Sequence, residues 1–259
     1  MTDLELRDSE LRSLGDIGKF LLENGQYKLA VSCYAMQFRM HSKFFSDEAA
    51  NLVANFPADH DGGRWVAPDG LFDDGRMPTD VFSKIYESGI WGGGSGGGSS
   101  INRAAQYAGL LQNFIRTEKV RKVCDIGCGD WQFSQFLDFG DSEYIGYDVV
   151  ESVVERNERV YGSAKINFIK ADVSSIEIPE CDLLICKDVM QHLNNDLAIS
   201  LSRKFNAARV CLITNDFALE NLPSRTGDTR PLNLIAEPFR LPAKPIFAFD
   251  GKVVFQISR

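Results

Sequence analysis

The 259-residue chain lacks any apolar run approaching the ~20 residues a membrane helix needs. Its acidic start, Met1-Thr2-Asp3-Leu4-Glu5, has neither the basic nor the apolar region of a secretion signal. Cys-x-x-Cys pairs are absent among its six cysteines, and Cys124 with Cys128 has the wrong spacing for a zinc site. Cys124, Cys181, Cys186 and Cys211 instead fall inside predicted strands, as reduced thiols of a cytoplasmic protein would. Clustered basic charge is also missing. With a net charge of −8, the chain has no patch to neutralise phosphates, so neither nucleic acid nor membrane is expected as a partner. Histidine is scarce as well, at His41, His60 and His192 alone.

What is present begins at Val123-Cys-Asp-Ile-Gly-Cys-Gly-Asp-Trp131, an apolar run that ends in an acid and two glycines. Such a run reads as a buried strand turning tightly into a helix, with room for a ligand against the backbone. A dinucleotide fingerprint needs a third glycine where Gln132 stands, which disfavours NAD. The alternation then continues: a helix over 133–139, a strand ending at Asp148, a helix over 149–161, and a strand over 166–172 ending in Asp172. It goes on with a strand over 182–186, a helix over 196–207 and a strand over 209–214. Two β-rich runs around Asp250-Gly251 read as a terminal antiparallel hairpin. The pattern predicts a doubly wound α/β sheet with its acids at the carboxyl edge, where such sheets bind ligands.

In order and spacing, these motifs resemble the class I S-adenosylmethionine-dependent methyltransferases over roughly residues 80–259. The resemblance implies a seven-stranded sheet and a cofactor site drawn from Asp125, Gly127, Cys128, Gly129, Trp131, Gln132, Asp148, Val149, Asp172, Val173 and Lys187. Within it, Asp148 would hold the ribose hydroxyls and Asp172 the adenine amino group. Trp131 stands where the family has its usual third glycine. The segment Tyr86-Glu-x-Gly-x-Trp91 is similar to one preceding the first motif in a bacterial small-molecule subgroup, many of whose members act in surface-polysaccharide pathways.

Three regions are expected: a helical region at 1–56, a linker and glycine-rich loop at 57–100, and a catalytic domain at 101–259. Leu14, Ile17, Gly18, Leu21, Gly25, Tyr27, Ala30 and Tyr34 follow the spacing of one tetratricopeptide-like helical hairpin, or of an ordinary helical pair. A single hairpin cannot bury its own apolar face, so it packs on the catalytic domain or on a second copy in a homodimer. On composition the tract at 92–100 resembles an engineered flexible linker. As a native loop it is expected to close over ligands as a mobile lid, with Trp91, Ser95 and Ser99 facing the substrate.

Methyl transfer to a hydroxyl benefits from a general base, for which His192 is the first candidate and Asp188 and Lys187 are rivals. A metal-assisted alternative would use Asp188, Asn215 and Asp216; against it, an ammonium at Lys187 beside a dication is unfavourable. Asn215, Asp216 and Arg230 complete the substrate-side candidates, with Arg230 able to hold an anionic acceptor in its planar fork. The expected activity is O-methylation of a small molecule, a sugar or an anionic metabolite. The alternatives are a protein or nucleic-acid methyltransferase, and a catalytically silent partner-binding subunit.

Overall fold

The computed structural model describes residues 3–57, 64–67, 77–172 and 175–259. Helices α1 (Asp3–Glu23) and α2 (Tyr27–Ala54) come first, followed by α3 (Pro78–Ser88) and α4 (Ile101–Thr117). The sheet is built from β1 (Lys122–Ile126), β2 (Glu143–Asp148), β3 (Ile166–Lys170), β4 (Cys181–Lys187), β5 (Ala208–Asp216), β6 (Lys244–Phe249) and β7 (Lys252–Ser258). Helices α5 (Glu151–Tyr161) and α6 (Asn195–Ser202) lie between strands. Strand order is β3-β2-β1-β4-β5-β7-β6, with the first five strands parallel and β7 antiparallel to both its neighbours. The doubly wound sheet and its terminal hairpin at Asp250-Gly251 are therefore as the sequence predicts.

Alternation along the central strands feeds two cores, because successive side chains leave opposite faces of a strand. Val123, Leu183, Ile185, Val210 and Leu212 point to one face, against Tyr107 and Leu111 of α4. Cys124, Ile126, Leu184, Cys186, Cys211 and Ile213 point to the other, where Leu201, Phe205 and Phe255 cover them. All six cysteines are unpaired, and Cys124, Cys186 and Cys211 are buried as small apolar residues.

The helix expected over 133–139 does not form; only a single 3-10 turn occurs there, Ser134–Phe136. Seven residues give fewer than two turns before Gly140, too few to offset the cost of nucleating a helix. The segment instead buries Phe133, Leu137 and Phe139 in the core. The third strand is also shorter than expected, ending at Lys170. Asp172 lies just past it, and Val173 lies outside the described residues.

The helical hairpin packs on the catalytic domain. Phe38 and Phe45 of α2 meet Phe247 of β6 edge-on, with ring centroids 4.7 and 5.5 Å apart. Within the hairpin, Gly18 faces the Tyr34 ring, which gives the close crossing the small residues predict. A Cβ on Gly109 of α4 would lie 2.4 Å from Tyr34 Cβ and 2.9 Å from the Ala35 backbone nitrogen, so α2 and α4 cross with no room for a methyl group. No helix among the described residues is long and apolar enough to cross a membrane.

This crossing yields a quantitative expectation. Alanine is the better helix former by ~1 kcal/mol, but overpacking against a backbone costs more, so Gly109→Ala should lower stability by about 1–2 kcal/mol net. Urea unfolding measures this; a stabilised variant would mean that α2 moves freely off α4.

Candidate active site

Strand order reverses between β1 and β4, and a cavity opens outside their carboxyl ends. Its floor is the turn after β1, where the Gly127 and Cys128 amides both donate to the Tyr147 carbonyl, at 2.8 and 3.0 Å. Among the residues read from the sequence, Asp125, Gly127, Cys128, Gly129, Asp148, Val149, Asp172, Lys187, Asp188, His192, Trp91, Ser95 and Ser99 line this cavity. Phe82 and Tyr86 of α3, together with Leu193 and Leu197, complete its apolar walls.

Four carboxylates line this space, and three of them, Asp125, Asp148 and Asp172, lie at the carboxyl ends of β1, β2 and β3. Asp148 accepts from the Gly129 and Val150 amides at 3.0 Å each, one bond per oxygen. A carboxylate has about four acceptor positions, so room remains for a diol. Burial pushes its pKa up against those amides. Asp125 accepts from the Tyr144 hydroxyl at 2.7 Å. Its pKa is pushed up to about 7, chiefly by burial and further by Asp148, with the Tyr144 bond and Lys187 opposing. A buried, incompletely compensated acid of this kind suits a cationic ligand. Asp172 lines the cavity at the β3 side.

Trp131 and Gln132 do not line it. Trp131 keeps the left-handed backbone a glycine would take, at φ 60°, and its indole stacks parallel to Phe139, tilts against Tyr161 and meets Phe168 edge-on. Core burial of the ring offsets the backbone strain of about 1–3 kcal/mol. Gln132 donates to Asp130 and so supports the turn from behind.

The glycine-rich tract contacts protein groups at Ser95 and Gly98. Ser95 Oγ accepts from the Asp130 amide at 2.8 Å and lies 2.7 Å from the Tyr86 hydroxyl, while the Ser95 amide donates to Asp130 Oδ2. Further along, Lys187 Nζ donates to the Gly98 carbonyl at 3.1 Å. A tract latched at two points to the β1 turn and the β4 end does not behave as a featureless tether.

Behind Lys187 lies a buried four-charge chain. Lys187 pairs with Asp188, Lys252 Nζ reaches Asp188 Oδ1 at 3.0 Å, and the same nitrogen donates to Asp216 Oδ1 at 2.8 Å. Burial alone would raise the Asp188 pKa, but the two lysines prevail and hold it below the ordinary carboxylate range. That makes Asp188 a poor base. Burial works against the Lys252 ammonium, yet Asp188 and Asp216 raise its pKa. The metal-assisted alternative fails on this geometry, because the Lys252 ammonium bridges the two carboxylates proposed as ligands. Asn215 is buried beside them without lining the cavity.

Arg230 also departs from its expected role. Fully buried, it donates to the Leu222 and Leu193 carbonyls and does not line the cavity, so it braces a loop and is not available to an anionic acceptor.

His192 is the remaining proton acceptor at the wall. Its Nδ1 lies 3.1 Å from the Asp228 carbonyl and 3.2 Å from Thr229 Oγ1. A carbonyl only accepts, so this bond requires the proton on Nδ1 and leaves a lone pair on Nε2. Gln191 Oε1 accepts from the Asp216 amide, which leaves its amide nitrogen 3.5 Å from His192 Nε2, a contact long enough for an acceptor hydroxyl to displace. Burial lowers the imidazole pKa, and Lys252 adds to this; the Asp228 carbonyl, Asp188 and Asp216 oppose. Trp91 packs on the ring with centroids 4.7 Å apart. Sequence reasoning missed Gln191, Asp228, Thr229 and Lys252; Lys252 faces Asp216 in the β5–β7 register, a long-range pairing that no local sequence signal gives.

Residues 123–210, about a third of the chain, match the family model described as methyltransferase domain. A search of curated proteins finds no match. Among solved structures, a protein provisionally assigned as an O-methyltransferase, from Nostoc punctiforme, is 14% identical with a TM-score of 0.50, the alignment covering 87% of this chain and 72% of that one. Human N-acetylserotonin methyltransferase is 14% identical over 88% of this chain and 70% of its own, with a TM-score of 0.48. The methyltransferase domain of bacterial Hen1 is 18% identical over 42% of this chain, which spans only 64% of that domain, with a TM-score of 0.38. At such identities the likeness speaks to the fold. The chain thus carries the doubly wound sheet of the methyltransferase fold and, over residues 123–210, is similar to the methyltransferase domain family.

Proposed function

We propose that the protein is an S-adenosylmethionine-dependent O-methyltransferase acting on a small hydroxylated acceptor without net negative charge. The observation that carries the reading is a neutral His192, held with Nε2 as an acceptor, in the wall of a cavity whose opposite edge presents Asp125, Asp148 and Asp172. The methyltransferase-domain match and the fold support S-adenosylmethionine chemistry. The donor set fits such a cofactor: carboxylates for a diol, an exocyclic amine and a cationic amino-acid end, with Ile126, Val149 and Leu193 as apolar walls for a flat base.

The cofactor would supply a sulfonium methyl group, whose transfer to a hydroxyl oxygen would leave the carbon–sulfur electron pair on a neutral thioether. His192 Nε2 takes the acceptor's hydroxyl proton. Trp91 lies against the imidazole and stabilises the cation that results. Phe82, Tyr86 and Trp91 exclude water from the reacting end. With Arg230 committed to carbonyls and the Lys187 charge matched by Asp188, an anionic acceptor finds little to hold it, which favours a neutral polyol such as a sugar. The net charge of −8 supports exclusion of nucleic acid, and six unpaired cysteines suit a cytoplasmic setting. Exposed Ile17, Phe20, Leu29, Met36 and Met40 on α1 and α2 support a second copy of the chain as partner. Sedimentation should then show a dimer; a monomer throughout would remove that partner.

Two outcomes test the chemistry. His192→Ala should lower kcat by about 10²–10⁴ with cofactor affinity nearly unchanged, and wild-type turnover would show that alignment alone suffices. Binding should also be linked to protons. Asp125 takes up a proton as pH falls through about 7, whereas a bound cation favours the ionised acid. S-adenosylhomocysteine affinity should therefore weaken from pH 8 to pH 6, with proton release detectable by calorimetry in buffers of different ionisation enthalpy. Equal affinity at both pH values would take Asp125 out of contact with the amino-acid end.

A further inference from the structure

Residues 64–67, in the crossover between the helical hairpin and α3, reach across to the loop that holds His192. Trp65 and Thr229 form an isolated antiparallel bridge: the Trp65 amide donates to the Thr229 carbonyl at 2.9 Å, and the Thr229 amide returns a bond to Trp65 at 2.8 Å. Two residues on, the Ala67 amide donates to Asp228 Oδ1 at 2.8 Å. Arg225 closes the clamp, donating from Nη2 to the Ala67 carbonyl at 2.8 Å and from its backbone and Nε to Asp228 Oδ2 at 3.3 Å each. Asp228 is only 2% exposed. A buried carboxylate with a charged partner and two backbone amides is a fixed point, because releasing any one partner leaves the acid under-compensated.

The same loop controls His192 from both backbone and ring. The Gly227 amide donates to the His192 carbonyl at 2.8 Å, the Arg230 amide donates to Gln191, and the Asp228 carbonyl with Thr229 Oγ1 holds Nδ1. The opposite support of the ring also leads to the crossover. Ala67, Val81 and Ile85 form a small apolar cluster on which Trp65, Phe82 and Trp91 pack, and Trp91 is the residue lying on the imidazole.

We infer that Asp228 is a positioning residue for His192, and that the crossover at Trp65 and Ala67 fixes the imidazole's tautomer and orientation through it. Asp228 touches neither cavity nor ligand; its carboxylate sets its own carbonyl, and that carbonyl decides which ring nitrogen carries the proton. This rests on reading His192 as the base, but the ring geometry it asserts exists in the protein without ligands.

The test is nitrogen-15 NMR of the histidine side chains in the free protein, on wild type, Asp228→Ala and Asp228→Asn, with His192 assigned by its loss in His192→Ala. Wild type should show a single Nδ1–H tautomer at His192. Asp228→Ala should give a mixture of tautomers and lower kcat by about 10²-fold, as for a displaced reacting group, while S-adenosylhomocysteine affinity stays within about twofold. Asp228→Asn keeps the acceptor oxygen for Ala67 and should recover part of both. Should the alanine variant fail to fold, a shift in the same direction in Asp228→Asn, or in Arg225→Met, supports the inference. An unchanged tautomer in every folded variant overturns it, as does a shifted tautomer with unchanged kcat; equal turnover in His192→Ala would trace the latter failure to the base assignment.

Discussion

The turn after β1 has to pass between two side chains that leave no space for a third. A Cβ on Gly127 would lie 2.4 Å from Val189, and one on Gly129 would lie 2.1 Å from Ser95 Oγ. Both residues also have positive φ, so an L side chain there would be strained on conformational grounds as well. From this constraint the rest of the site follows. Because the turn is bare, Ser95 can descend to accept from the Asp130 amide, which brings the glycine-rich tract, Tyr86 and Trp91 over the cavity. Because Gly129 comes so close to β2, its amide reaches Asp148 and orients that carboxylate.

Past the turn, electrostatics take over from sterics. Lys187, Asp188, Lys252 and Asp216 carry two charges of each sign, and the side chains of Lys187 and Lys252 are only 4% and 6% exposed. Burying charge is costly unless every member is paired, and here each ammonium has a carboxylate. Asp188 sits at φ 57°, a strained position for a non-glycine residue, held between two lysines and by its own amide bond to Thr214. The chain ties β4, β5 and β7 to the loop at Gly98.

Much of this was legible in the sequence because it depends on local pattern. The strands, their acids and the Asp-Gly hairpin follow from apolar runs with fixed punctuation, and Asp125, Gly127, Gly129, Asp148 and Asp172 all line one cavity. The failures are tertiary. Trp131 reads as a cofactor neighbour because it occupies a glycine's place, yet the aromatic core draws its ring away. Arg230 reads as a substrate contact, yet its side chain turns to backbone carbonyls, and it is Asp228 and Thr229 of the same loop that meet His192, on a segment bridged to Trp65 more than 160 positions earlier. Composition shows the glycine-rich tract only as glycine and serine; its contacts with Asp130 and Lys187 are invisible to composition.

A crystal structure with S-adenosylhomocysteine bound tests the central claim most directly. The ribose hydroxyls should lie on Asp148, the base between Val149 and Leu193 near Asp172, and the sulfur toward the space between Trp91 and His192. Density for the ligand elsewhere, or a ligand in the cavity with its sulfur turned away from His192, would contradict it.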